Sequence, residues 1–135
     1  MTGLFLLRPQ RVLLGVLLLA TCLAAPVSAA TLAPAARGEI DALLTRLGTS
    51  GCQFERNGTW YTADEARAHL LKKLDYLVGR GAVASAEQFI ERAATQSSVS
   101  GQPYAVKCRD AAARPSGDWL RAELRALRAG TKNPR

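Results

Sequence analysis

Apolar residues recur along the chain with two different periods, and each period predicts a different kind of element. Ile40, Leu43, Leu44 and Leu47 stand at i, i+3, i+4 and i+7, which is one face of a helix. Pro34 can open that helix because its missing N–H has no partner in the first turn anyway. Glu39 and Asp41 lie early, where the helix dipole favours anions, and Gly48 with Thr49-Ser50-Gly51 ends it. From Cys52 the pattern changes to alternation: Cys52-Gln-Phe54-Glu-Arg56, then Asn57-Gly58, then the β-formers Thr59-Trp60-Tyr61. Asn-Gly between two such runs predicts a two-residue hairpin, because both residues accept positive φ. Asn57-Gly58-Thr59 also fits a glycosylation sequon, but the turn accounts for it.

Helical spacing returns at Thr62-Ala-Asp-Glu65, a capping box in which hydroxyl and carboxylate satisfy each other's end amides. The helix that follows points Ala66, Leu70, Leu71, Leu74, Leu77 and Val78 toward a core and stops at Gly79 and Gly81. Ser85-Ala-Glu-Gln88 reads as a second capping box, opening a shorter helix with Phe89, Ile90, Ala93 and Ala94 inward. Thr95 to Gly101 is a polar, turn-rich loop, and Tyr104-Ala-Val106-Lys-Cys108 alternates as a strand. Ser116-Gly-Asp118 caps a last helix bearing Trp119, Leu120, Leu124 and Leu127. The order α-β-β-α-α-β-α predicts an α+β domain over residues 31–129. A small three-stranded antiparallel sheet, one hairpin plus one strand, packs there with about four helices, and residues 130–135 form a frayed tail.

The first thirty residues read differently. Arg8 and Arg11 precede fourteen largely apolar residues from Val12 to Ala25, fewer than the roughly 20 a spanning helix needs. A basic start, a short apolar run and the small-residue sites around Val27-Ser28-Ala29-Ala30 make residues 1–30 a secretory signal peptide. Cys22 follows Thr21 rather than a small lipobox residue, so a lipoprotein is not the expectation. No later hydrophobic stretch reaches spanning length, so no integral membrane segment is expected after the leader is removed.

Export changes the inventory. The chain has 135 residues, a formal charge of +7 and three cysteines, which allows one domain. Without Arg8, Arg11 and Cys22, sixteen basic residues face eleven acids and two cysteines remain. Cys52 and Cys108, in an oxidising compartment, are expected to form a disulfide. With those two bridged and His69 the single histidine, no metal site of familiar type can assemble, and no cofactor is expected. Glu39, Asp41, Asp64, Glu65, Glu87 and Asp118 all sit in predicted first turns, where capping explains them. His69 at the edge of an apolar face, with Ser98 or Ser100 in the serine-rich loop, could form the core of a small hydrolase. Gly-x-Ser-x-Gly and Ser-x-x-Lys are both absent. Arg114, Arg121, Arg125 and Arg128 could make a cationic stripe for an envelope surface. No aromatic interleaving supports sequence-specific nucleic-acid binding.

Five stretches together resemble a bacterial family of uncharacterised periplasmic proteins, the enterobacterial YfeK type. They are Cys52-x-Phe54-x-Arg56-Asn57-Gly58, Ala66-Arg67-x-His69-Leu70-x-x-Lys73, Ala86-Glu87-Gln88-Phe89-Ile90, Ser97-Ser98-x-Ser100-Gly101-x-Pro103-Tyr104 and Trp119-Leu120. The resemblance spans about residues 35–128. It implies a small exported envelope protein and carries no assigned reaction. Arg56, His69, Lys73, Glu87, Ser98, Ser100 and Tyr104 match its polar positions, and a binding site is expected among them. Arg56 and Lys73 would hold an anionic group there and the serine loop would donate hydrogen bonds. The expected partner is an anionic small molecule or an envelope polyanion, and the expected role is a binding or accessory module of the cell envelope.

Overall fold

The computed structural model describes residues 31–131. The expectations for the leader, its cleavage site and Cys22 lie outside those residues, as do the last four positions. Helix α1 (Pro34–Gly48) carries proline in its first turn and buries Ile40, Leu43, Leu44 and Leu47. Strands β1 (Gln53–Arg56) and β2 (Thr59–Thr62) form the expected hairpin. Asn57 at φ 50° and Gly58 at φ 80° give the turn the twist its strands need. Helix α2 (Ala63–Gly79) begins at a complete capping box: the Thr62 N–H donates to Glu65 Oε2 at 2.8 Å, and the Glu65 N–H donates to Thr62 Oγ1 at 3.3 Å. At the next box only half forms. The Gln88 N–H donates to Ser85 Oγ, but the Gln88 side chain accepts from the Ala84 N–H, one residue earlier than the box requires.

That second box opens α3 (Ala86–Phe89), which widens into a single π turn over Ile90–Ala94. The chain then doubles back on itself. Gln96 bridges Pro103, and the Tyr104 N–H donates to the Thr95 carbonyl at 2.9 Å. Strand β3 (Ala105–Lys107) follows, then β4 (Arg114–Pro115), then α4 (Ser116–Thr131). The sheet order is β2-β1-β3-β4, antiparallel throughout. It therefore has four strands, one more than the pattern predicts. Two residues are too few to show a period, and Pro115 is tolerated because β4 lies at an edge. Ser116 stands inside the first turn of α4 rather than before it, buried, with its N–H donating to the Tyr104 carbonyl. Helix α4 continues through Gly130 to Thr131, past the expected start of fraying.

Register decides what each face of the sheet does. Phe54 pairs with Tyr61 and Val106, so all three project from one face, and Phe54 and Val106 are buried against the helices. Glu55, Trp60 and Ala105 share the other face, and Trp60 is exposed there. The helices pack on one another and on the inner face, α1 against α2, α3 and α4. One apolar cluster runs through all of them, including Leu74, Phe89, Ile90 and Leu120, each fully buried. Truncating any of these to alanine costs about 2–5 kcal/mol. Leu71, Leu77, Val78, Trp119 and Leu127 flank this cluster half-buried, and Trp119 meets Phe54 edge-on with ring centres 5.6 Å apart. Cys52 and Cys108 form the expected disulfide one step beyond the Gln53–Lys107 pair, at the end of β1 opposite the turn.

Candidate functional site

The inner face of the hairpin tip and one side of α2 meet in a cluster of cations. Arg56 shares its face of β1 with Phe54 and so points toward α2. His69 and Lys73 stand four residues apart on α2 and so share one side of it. The guanidinium Nη1 of Arg56 lies 2.7 Å from His69 Nδ1 and 3.1 Å from Nε2, and its Nη2 donates to the Tyr61 hydroxyl at 3.3 Å. Arginine is always protonated and has no lone pair to offer. A ring nitrogen that accepts from it must be unprotonated, so this contact favours the neutral imidazole over the charged one. Lys73 Nζ donates to the Tyr104 hydroxyl at 3.4 Å and lies 5.2 Å from the centre of its ring. Tyr104 is itself fixed at both backbone groups, its N–H on Thr95 and its carbonyl on Ser116.

Protonation follows from this crowding. Burial first, then the charges of Arg56, Lys73 and Lys72, hold His69 below the ordinary histidine value. Burial, then Arg56, hold Lys73 below the ordinary lysine value. Tyr104 is pushed up by burial. Among the described residues, the carboxylates in ion pairs lie on Arg37, Arg46, Arg121 and Arg128, and none is on Arg56 or Lys73. The two acids beside the cluster are engaged elsewhere: Glu55 accepts from the Gly58 N–H in the turn, and Glu65 belongs to the cap of α2. A group of like charges with no counterion among the described residues favours an anion from outside.

Two cavities open on this cluster. One holds about 310 Å³ and reaches inward past Phe54, Leu70 and Ala94. The other holds about 390 Å³ and lies under the serine loop. Arg56, Tyr61, His69 and Tyr104 line both, and so form the wall between them.

Of the residues singled out in the sequence, the structure brings Arg56, His69, Lys73, Ser98 and Tyr104 to the second cavity. The serine loop is a fixed turn. Ser97 Oγ is buried and accepts from the N–H groups of Val99 and Ser100 at 3.3 and 3.2 Å. The Ser100 hydroxyl donates to Asn57 Oδ1 at 2.6 Å, tying the loop to the hairpin turn. Ser100 is therefore directed at Asn57, and the hydrogen bonds of His69 go to Arg56. No serine–histidine dyad is assembled among the described residues. Glu87 stands apart. It pairs with Arg128, which also grips Glu39 through two hydrogen bonds of 2.8 and 2.9 Å. Arg128 lowers both carboxyls, and the triad bolts α4 to α1 and α3. Arg121 is likewise paired, with Glu91 and Asp118. Two of the four arginines expected to form a cationic stripe are thus neutralised within the fold. No group of three His, Cys, Asp or Glu side chains gathers as a metal site among the described residues. None of their helices is long and apolar enough to cross a membrane.

Tyr61 and Asn57 are the site residues that residue-type reasoning passed over. The hairpin register contains the signal for Tyr61: counting outward from Asn57-Gly58 along both strands places it opposite Phe54, on the face of Arg56. Nothing in the sequence pairs Asn57 with a loop 43 residues away.

A small α+β domain with a cationic cluster between a hairpin and a helix is thus the class of protein in hand, and the chain belongs to a family of unknown function, DUF5329, which matches residues 34–128. It is similar to the uncharacterized protein YfeK of Salmonella typhimurium strain LT2, at 41% identity over 66 residues. The match takes in 48% of this chain and 53% of that protein, so the chain spans about half the length of this relative. No solved structure matches it.

Proposed function

We propose that this protein is a small exported binding module of the bacterial cell envelope, and that it captures an anionic small molecule at Arg56, His69 and Lys73. The observation that carries the reading is the cluster itself. Three nitrogen-bearing side chains converge on the outer cavity and two of them, Arg56 and His69, also line the inner one, with Lys73 half-buried and, among the described residues, no carboxylate bonded to Arg56 or Lys73. An anion supplies the charge that the protein withholds, and Ser98 at the cavity wall supplies a hydroxyl. Binding rather than turnover fits the serine loop, whose Ser97 and Ser100 oxygens are engaged in holding its shape. Export is supported by the basic-apolar start of the chain and by its paired cysteines.

An NMR titration of the His69 ring tests the site. Inorganic phosphate bound at the cluster adds negative charge beside the imidazole and raises its pKa from the depressed free value. Arg56→Gln should also raise the free value, by removing a neighbouring charge, and should weaken phosphate binding. A His69 titration curve that phosphate leaves unmoved, in protein whose Arg56→Gln variant does shift, refutes the anion reading. For export, the intact mass of protein from an envelope extract should correspond to a chain starting at Ala30 or Thr31. A mass that retains Met1 refutes it.

A further inference from the structure

The inner cavity is unlike the outer one, and the difference bears on what kind of anion fits. Its floor is Phe54, Leu70 and Ala94, all buried, with half-buried Ala66 beside them. Arg56 and His69 stand on the wall it shares with the outer cavity, exposed Lys72 lines it alone, and Lys73 lines the outer cavity. Glu55 and Glu65 are also at its border, their carboxylates engaged by the Gly58 N–H and by the cap of α2. An inorganic ion held by Arg56 and Lys73 leaves that apolar floor covered by water. A ligand with an apolar body removes the floor from water and gains free energy in proportion to the area covered. A second negative charge set over that floor would be buried against Phe54, Leu70 and Ala94 without a partner, which costs free energy. At about 310 Å³ the chamber is at the small end for ligand pockets, which run from roughly 300 to 1,000 Å³.

We infer that the ligand is an organic monoanion with one compact apolar group, such as a single aromatic ring or a short branched chain, its charge on Arg56, His69 and Lys73 and its apolar body over Phe54, Leu70 and Ala94. This rests on the anion reading above and narrows it: a polyanion would place a second charge on the apolar floor, and an inorganic ion leaves the inner chamber unused.

Three probes separate the possibilities, with the His69 ring resonance and calorimetry as readouts on the folded, disulfide-bonded protein. Benzoate should bind at least about 10-fold more tightly than acetate, from burial of the ring. Terephthalate, with a second carboxylate on the far side of the ring, should bind more weakly than benzoate. Ala66→Leu narrows the inner chamber and should erase the preference for benzoate while leaving acetate binding in place. Ala68→Leu, at an exposed position lining the same cavity, makes the same test if Ala66→Leu does not fold. Equal affinity for benzoate and acetate, with both moving His69, overturns this inference and leaves the anion site standing. Terephthalate binding as tightly as benzoate overturns it too. If neither acetate nor benzoate moves His69, the anion site falls as well.

Discussion

Lys73 holds a half-buried ammonium next to the guanidinium of Arg56, and its polar partner is a tyrosine hydroxyl at 3.4 Å. Burial and like charge both oppose that ammonium, so its proton is held less tightly in the folded chain than in the unfolded one. A basic group whose folded pKa is depressed destabilises the fold at every pH below that value, where both states are charged, and the cost vanishes above the unfolded value of 10.5. Lys73→Met keeps the linear side chain and removes the charge. Thermal unfolding at pH 7 should show a melting temperature equal to or above that of the parent, and anion binding should be lost. A clear fall in melting temperature means that the ammonium is held by something that stabilises it, and the account of the site is then wrong. The family resemblance made this residue legible, in the motif that also carries His69. It did not show that Glu87, equally polar and equally part of the resemblance, would be held by Arg128 across the helices, because that pairing depends on how α3 and α4 cross.

Among the elements, helix α1 and the hairpin were readable because their signals are local. Four apolar positions at helical spacing fix the buried stripe of α1, and two residues that accept positive φ fix the turn. What the chain concealed was set by neighbours. Strand β4 exists because β3 offers it an edge, and Ser116 enters the helix because its N–H is drawn to Tyr104. Two glycines inside helices measure the same distinction between local preference and packing. Gly38 in α1 has nothing within 4 Å of where a Cβ would stand, whereas at Gly117 in α4 that atom would meet Thr95 Oγ1 at 2.9 Å. Alanine in an open helix interior is favoured over glycine by about 0.8–1 kcal/mol. Gly38→Ala should therefore stabilise by about that amount in urea titrations. Gly117→Ala, in the first turn of α4, has at most that helical gain, and it must push aside a threonine whose hydroxyl is already bonded to the Ile90 carbonyl at 2.9 Å in the π turn. Overpacking of that kind costs about 1–3 kcal/mol, so this variant should be less stable than the parent. Two variants that move together would show that Thr95 yields freely.

For the molecule as a whole, three sets of long-range ties hold the site in shape: the apolar cluster, the ion pairs of α4, and the disulfide. The bridge joins the outer ends of β1 and β3, while the cationic cluster sits at the other end of β1 near the turn. Its thermodynamic weight comes from the sequence separation of 56 between the two cysteines, since closing a loop of that size in the unfolded chain removes entropy worth about 4 kcal/mol. The apolar cluster spans every helix, and a domain of this size can fold on such a core without a covalent tie. The bridge should then shift stability without being required for the fold. Cys52→Ala should melt well below the parent in oxidising buffer. In strong reductant the two should converge, because the parent has lost the same constraint and alanine removes little else from a small buried site. The His69 ring should keep its depressed pKa in the variant, since the wall of Arg56, Tyr61 and Tyr104 is held by the hairpin register and by the bonds of Tyr104 to Thr95 and Ser116. If the pKa returns toward its ordinary value when the bridge is cut, the disulfide is what presses β1 and α2 together around the cluster, and anion binding at the proposed site should then weaken under reductant along with stability.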